Sequence, residues 1–353
     1  LATTLADVAA RAGVSPATVS RVLNGNYPVA AATRRRVERA VDELNYVING
    51  HARALAASTS DMLGVLVNDM ADPFFGVMAS GIQSAAAAGG LLAIVCNTDG
   101  SPQQELTYLK LLQRQRAGAV VLTGGSVEDP EHNRAVASQL SLMSAQGCRV
   151  VLCGRPPMRE LDAAAAPSVA TVTFANREGA RALTAHLIAL GHRRIGYVTG
   201  PAERTTTRHR LEGHRQALAD AGLPDDPRLV AAGDYSRASG YDAALELLRR
   251  EPGVTALVAA NDTMALGVCA VLRERGLRIP EDVSVAGFDD LPFSLDAAPS
   301  LTTVRVPLRQ AGEQAGKLAV GSRPMPPGGL LTLPTELLVR RSVGPAPERS
   351  TED

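Results

Sequence analysis

Eight apolar runs recur between residues 62 and 290: MLGVLVND, LLAIVCNTD, AGAVVLTGG, CRVVLCGR, VATVTF, RRIGYVTGP, ALVAAND and VSVAGFDD. Amphipathic stretches of helix length separate them, at 76–89, 103–116, 177–190 and 208–221 among others. Continuous Val, Leu and Ile without polar alternation is the pattern of strands buried on both faces, and strands separated by helices form parallel sheets. Roughly a dozen such units exceed one ordinary doubly wound domain, so the pattern predicts two α/β subdomains. Ligands of open parallel sheets bind beyond the carboxyl ends of the strands. Asn68-Asp69, Asn97, Asn261-Asp262 and Asp289-Asp290 stand at such ends. Asn and Asp also cap helices and close tight turns, so about half are expected as caps and half facing a cleft.

The chain is long enough, at 353 residues, for two or three compact units. Its 45% apolar content and balanced charge, 36 basic against 36 acidic residues, mark it as globular. No run of 18 uninterrupted apolar residues predicts a membrane span. The first residues lack the charged-then-apolar plan of a secretory signal, which favours the cytoplasm. Cys96, Cys148, Cys153 and Cys269 show no CxxC spacing and are read as buried free thiols rather than a zinc site.

The balanced total hides an asymmetry. Residues 1–60 carry seven Arg against four acidic residues, a net +3, which leaves −3 for the remainder. Only two of the 36 basic residues are Lys, so the choice of Arg carries little information and position matters more. Within this basic segment Thr4 caps a first helix, with Asp7 completing a capping box over Leu5, Val8 and Ala9. Gly13 supplies a sharp turn. Ser15 caps a second helix with Pro16 at its first position, and Asn24-Gly25 stops it. Val19, Val22 and Leu23 share one face; Ala17, Thr18, Ser20 and Arg21 fall elsewhere. A third helix, about Ala31 to Leu44, places Val37, Ala40, Val41 and Leu44 at helical spacing. Two helices joined through a glycine turn and buried by a third follow the helix-turn-helix plan. Small residues at the start of the second helix permit close approach to a duplex, hydroxyls reach phosphates, and Arg21 reaches guanine. The competing reading is a three-helix bundle that only docks on the rest of the chain. NYVINGHARALAAST, residues 45–59, lacks a strong core stripe and is too short for a stable isolated helix, so it needs a partner or DNA to fold.

TTLADVAARAGVSPATVSRVLNG followed by TRRRVERAVDELNYVINGHARALA resembles the headpiece of the lactose-repressor (LacI/GalR) family of bacterial transcriptional regulators. ADPFF, GHRRIGYVTGP, AANDTMALG, VSVAGFDD and PSLTTVRVP resemble its effector-binding core, so the likeness covers almost the entire chain. It implies an all-α helix-turn-helix headpiece, residues 1–48, and a hinge helix or linker, 49–60. It implies an α/β core like that of periplasmic sugar-binding proteins, 61–342, made of two doubly wound parallel-sheet subdomains, and a flexible tail, 343–353. The N-subdomain is expected over about 61–160 plus 305–322, and the C-subdomain over about 161–304 plus 323–342.

Carried over position by position, the resemblance puts Pro16, Ala17 and Arg21 at base-reading places. Ser15, Thr18, Ser20 and Asn24 take phosphate or flanking roles, and Thr4 joins the DNA-binding set. Leu55 takes the place of a leucine that wedges into the central base step, supported by Asn49 and Ala52. The effector is implied to lie among Asp69, Phe74, Phe75, Arg204, Arg210, Asn261 and Asp289. Of Arg204, Arg208 and Arg210, one or two are expected in the cleft, and of the adjacent Phe74 and Phe75 at least one in the core. Three departures stand out. Ala30 replaces the serine that commonly caps the third helix, Gly154 stands where many relatives have Asp, and no tryptophan is present to form a sugar platform. The resemblance therefore implies a cleft without fixing its ligand, a sugar or glycoside first and a nucleobase or other polar metabolite second. It implies a homodimer on a pseudo-palindromic operator, since two half-sites require two copies and the tail VGPAPERSTED carries no leucine heptads for a tetramer.

An enzyme is not expected. GxGxxG after the first strand, GxxxxGK[ST], GxSxG and HExxH are all missing. His186, His192, His209 and His214 are not spaced to share a metal on a helix face and are read as surface residues. No cofactor is expected. The remaining alternative is a ligand-binding protein of periplasmic type with no DNA role, which has no use for a helix-turn-helix.

Overall fold

A computed structural model describes residues 3–24, 28–46 and 60–348. The chain divides into two units, Leu1–Ser60 and Asp61–Asp353.

In the first unit, α1 (Leu5–Ala12) begins with the expected box: Thr4 Oγ1 accepts from the Asp7 amide at 3.3 Å, and Asp7 Oδ2 accepts from the Thr4 amide at 2.8 Å. Gly13 ends it at φ 65°, a left-handed conformation that costs glycine nothing. Ser15 Oγ accepts from the Thr18 amide at 3.2 Å and opens α2 (Pro16–Asn24). In α3 (Ala31–Glu43) Ala30 provides no side-chain cap, a loss of about 1 kcal/mol against Ser or Asn. Val8, Ala9, Ala12, Val19, Val22, Val37 and Ala40 form the core of this unit.

The second unit holds two six-stranded sheets. The first contains β1 (Ser60–Val67), β2 (Leu92–Asn97), β3 (Ala117–Thr123), β4 (Arg149–Cys153), β5 (Val169–Phe174) and β11 (Leu330–Leu333), in the order β11-β5-β4-β3-β1-β2. The second contains β6 (Ile195–Thr199), β7 (Val230–Ala232), β8 (Ala256–Ala259), β9 (Ser284–Asp289), β10 (Thr302–Arg305) and β12 (Glu336–Leu338), in the order β12-β10-β9-β8-β6-β7. Of its pairings only β10–β12 is antiparallel. Central strands such as β6, β8 and β9 are buried at every position, as two-sided cover requires. Helices α4 (Pro73–Ala88), α5 (Pro102–Arg114) and α6 (Pro130–Ala145) follow strands of the first sheet. Helices α7 (Asn176–Ala189), α8 (Thr205–Asp220), α9 (Arg237–Arg250), α10 (Asp262–Glu274) and the single turn α11 (Phe293–Asp296) belong with the second. Helix α12 (Leu308–Val320) returns to the first and lies so close on α4 that a Cβ on Gly312 would stand 2.1 Å from the Met78 carbonyl oxygen.

Two segments depart from the expected C-subdomain of 161–304 plus 323–342. Strand β5 pairs with β4 from Val150↔Val169 to Cys153↔Val172, and β11 pairs with β5, so 169–174 and 330–333 belong to the first sheet. An apolar run states that it is a buried strand; it does not state which sheet it joins. The chain therefore passes between the sheets three times, at 174–176, 305–308 and 333–336. The first and third crossings lie together: the Ala175 amide donates to the Leu333 carbonyl at 3.1 Å, and Thr335 Oγ1 donates to the Ala175 carbonyl at 3.0 Å.

Candidate functional site

A cleft of about 690 Å³ opens at the carboxyl ends of strands from both sheets, and Asp69, Phe74, Phe75, Arg204, Arg210, Asn261 and Asp289 all border it. Arg210 organises its second-sheet side. The first turns of α8 bury this arginine, which donates from Nε to Asn176 Oδ1 at 3.0 Å, from Nη1 to the Ala260 carbonyl and from Nη2 to Asp289 Oδ1 at 2.7 Å. Its guanidinium carbon lies 3.9 Å over the centre of the Phe288 ring, a cation–π contact. Asp289 ends β9 at φ 111°, a strained conformation for a non-glycine residue that its buried partners hold in place. Burial pushes the Asp289 carboxyl up to about 7 against the pull of Arg210.

Arg204 faces the other way. It is the residue before α8, and its Nη2 donates to the Gly100 carbonyl at 2.6 Å and its Nη1 to the Gly125 carbonyl at 3.3 Å, both on first-sheet loops. Around it the backbone pairs across the cleft: the Glu128 amide donates to the Glu203 carbonyl at 2.6 Å, and the Thr205 amide to the Ser126 carbonyl at 3.0 Å. Arg208 stays outside the cleft, donating to Glu128 at 2.6 Å and Glu212 at 2.8 Å.

One strand-end residue, Asn261, combines the two roles that the sequence set against each other. Asn261 caps α10 by accepting from the Met264 amide at 2.8 Å and borders the cleft, its Nδ2 donating to the Tyr235 carbonyl at 3.1 Å. Asp72 caps α4 through the Phe74 amide at 2.9 Å, and burial raises its carboxyl. Phe75 is buried in the core, while the half-buried Phe74 meets it edge-on at 5.0 Å between ring centres.

Three features escape the sequence. Tyr235 borders the cleft, its hydroxyl 2.7 Å from Thr207 Oγ1. Behind Gly124, the buried Arg155 donates to the carbonyls of Gly124 and Thr123, each at 3.1 Å, and to Glu105 Oε2 at 2.9 Å. Glu105 also meets His132 Nε2 at 3.3 Å, and although burial opposes its charge, Arg155 and His132 bring its carboxyl down to about 2. This cluster fixes the loop whose next carbonyl, Gly125, receives Arg204. The signal available was the Arg directly after the apolar run VVLCG, at a strand's carboxyl end. The surface reading of the histidines fails for His192 and His214, which are buried. His214 sits 2.9 Å from Thr184 Oγ1 beside Tyr197, and burial lowers it to about 3. All four cysteines are buried and free.

In the first unit, Ser15, Pro16, Ala17 and Arg21 are exposed, and Thr18 and Ser20 half-buried, on the side of α2 away from Val19 and Val22. This is the disposition a groove-reading helix needs. Asn49, Ala52 and Leu55 lie outside the described residues, as does the side chain of Asn24.

The profile of the bacterial regulatory proteins of the lacI family matches residues 4–49, and that of the periplasmic binding proteins and sugar binding domain of the LacI family matches residues 60–320. The chain belongs to the LacI family. It is 36% identical to the transcriptional regulator GalR of Escherichia coli K12, over 96% of this chain and 94% of that protein. The repressor PurR of Aliivibrio salmonicida is 33% identical over 88% of this chain and 90% of its own length. Among solved structures, a complex of the regulator CelR with cellobiose superposes with a TM-score of 0.69 at 34% identity, covering 96% of this chain and 99% of that one. The lac repressor dimer bound to operator and the anti-inducer ONPF superposes with a TM-score of 0.80 at 29% identity, covering 98% and 100%. This LacI-family member is thus a DNA-binding transcriptional regulator with an N-terminal helix-turn-helix and a two-subdomain α/β core. No helix among the described residues is long and apolar enough to cross a membrane.

Proposed function

We propose that this regulator is a cytoplasmic, non-enzymatic repressor that binds a pseudo-palindromic operator as a homodimer under the control of a small polar effector, a sugar in the first instance. One observation carries the reading: a single chain holds a helix whose exposed face presents Pro16, Ala17 and Arg21 and a cleft whose two walls belong to sheets joined by three crossings. Two copies of α2 occupy successive major grooves, with Pro16, Ala17 and Arg21 over the bases and Ser15, Thr18, Ser20 and Asn24 toward the backbone. Thr4 holds the α1 start beside them. Segments 49–57 fold as hinge helices in which Asn49 and Ala52 support Leu55 as the minor-groove wedge. Asp69, Phe74, Phe75, Arg204, Arg210, Asn261 and Asp289 form the effector site, where carboxylates accept from hydroxyls and aromatic faces take ring surfaces. Effector binding changes the angle between the sheets and with it the spacing of the hinges.

Coupling of about 1–3 kcal/mol changes operator affinity roughly 5- to 150-fold. Fluorescence anisotropy on an operator selected from genomic fragments by the full-length protein, with and without sugars and nucleobases, tests this. A change of that size supports the proposal, and an affinity indifferent to every effector contradicts it.

A further inference from the structure

We propose that Asp290 is a positioning residue that ties the cleft's Asp289 to two of the three crossings and so sets the angle between the two sheets. The assignment deepens the regulation proposed above and rests on the reading that this angle governs operator binding.

The last residue of β9 and the one after it serve different sides of the sheet end. Asp289 and Asp290 stand at φ 111° and 58°, two successive non-glycine residues in the left-handed region, which their surroundings must hold in place. Asp289 borders the cleft and accepts from Arg210 there, while its backbone carbonyl accepts from the Val306 amide at 3.3 Å, inside the 305–308 crossing. Asp290 is absent from the cleft lining. Its Oδ2 accepts from Arg305 Nε at 2.8 Å, and its Oδ1 from Arg340 Nη2 at 2.5 Å and Ser294 Oγ at 3.2 Å.

The two arginines hold different things. Arg340, its side chain 11% exposed, also donates from Nη1 to Ser294 Oγ at 2.8 Å and to the Leu301 carbonyl at 3.0 Å, so it belongs to the frame of the second sheet. Arg305, 49% exposed, is the last residue of β10, and its Nη1 lies 3.3 Å from Oε2 of Glu336, the first residue of β12. The antiparallel register sets these two residues opposite each other. The 305–308 crossing leaves the second sheet at Arg305, and the 333–336 crossing enters it at Glu336. The Asp290 carboxylate thus bridges a guanidinium fixed in the sheet and one at the root of two crossings. Although burial opposes its charge, Arg305 and Arg340 hold this carboxyl below the usual carboxylate range, so the tie is ionic at neutral pH. A shift of Asp289 toward a ligand turns the strained pair it forms with Asp290. The Val306 bond and the Asp290–Arg305 pair carry that turn to the crossings.

Amide hydrogen exchange on the full-length protein tests this, with Asp290→Asn, Arg305→Gln and the double variant set against wild type. Asparagine accepts a left-handed backbone as aspartate does and keeps its shape, so Asp290→Asn removes the charge without straining the turn. The reporters are the Val306 amide and the Glu128 and Thr205 amides, which pair across the cleft; the controls are the Thr255 and Ala260 amides, bonded to the Arg194 and Val198 carbonyls within the second sheet. Each single variant is expected to exchange about tenfold faster at the three reporters, with the controls within about twofold of wild type. The double variant should be no faster than the singles, since both break one tie. Unchanged reporters overturn the assignment. A rise shared by the controls also overturns it, because that marks a general loss of stability. Additive effects in the double variant overturn it too, because Asp290 then acts other than through Arg305. Fluorescence anisotropy on an operator selected from genomic fragments separates this assignment from the reading beneath it. A shift of at least about fivefold in the operator affinity of Asp290→Asn supports both. Faster exchange at the reporters with operator affinity unchanged keeps the tie and removes the reading that the angle governs the operator.

Discussion

Replacing Arg210 by Met preserves most of the side chain's volume while deleting a charge that is 2% exposed. The bonds to Asn176, Ala260 and Asp289 are lost. Breaking a buried ion pair from one side costs about 3–5 kcal/mol, largely because the other charge is left uncompensated. Asp289 has a way to relieve that charge. Burial already holds its carboxyl near 7, and Arg210 is the principal influence holding it down. Without Arg210 it takes a proton and keeps it through the neutral range. A carboxyl raised above its unfolded value of 3.8 favours the folded state at low pH and loses that contribution as the pH climbs to the folded value. In the wild type the loss ends near 7; in Arg210→Met it continues upward. The variant's deficit therefore grows with pH, by about 1 kcal/mol between about pH 6 and about pH 8, since a tenfold change in proton affinity is worth about 1.4 kcal/mol. Urea unfolding of both proteins at the two pH values measures it, with a deficit of about 3–5 kcal/mol expected at the higher. A deficit equal at both, or larger at the lower pH, would refute Asp289 as the group that absorbs the change.

The Glu105 carboxyl, held near 2 against an unfolded 4.5, contributes stability that is complete above 4.5 and lost as the pH falls toward 2, on the order of 3 kcal/mol; acid unfolding followed by circular dichroism should show a shallower loss over that window in Glu105→Gln. Arg204→Gln removes two cross-cleft donors, and amide exchange at Glu128 and Thr205, whose protons pair across the same seam, should quicken by about tenfold, with rates unchanged if the arginine does not hold the walls together. Arg21→Ala should cost about 1–3 kcal/mol in specific operator binding and relax discrimination at one base pair; undiminished discrimination assigns base reading elsewhere. Leu55→Ala should weaken operator binding while leaving effector affinity nearly intact, and a parallel fall in effector affinity would contradict the division of labour between hinge and cleft.

What can be read from the sequence is local or periodic. The Thr4–Asp7 box, the Gly13 turn and the Ser15 cap each lie within a few residues, so their letters determine their geometry. Of the cleft residues, Asp69, Asn261 and Asp289 stand at or just past strand ends, where the topology of parallel sheets puts ligands. What escapes depends on distance or on polar burial. Arg155 lies 50 residues from Glu105, and Glu105 lies 27 from His132, so no spacing rule joins them. The inner face of α8 carries Thr207, Arg210 and His214 as well as Ala217 and Leu218. A buried stripe that contains hydroxyls, a guanidinium and an imidazole does not register as apolar, which is why His214 reads as a surface residue in the sequence. Strand β5 falls to the wrong sheet for a related reason: its apolar run proves burial, and only the pairing with β4 supplies the address.

Selection of genomic fragments by the purified full-length protein, scored for symmetry, tests the central claim most directly. The account predicts a two-fold-symmetric site of about 14–20 base pairs with a flexible central step such as CG, CA/TG or TA. An enriched site without two-fold symmetry, or no enrichment with or without added sugars and nucleobases, would contradict it.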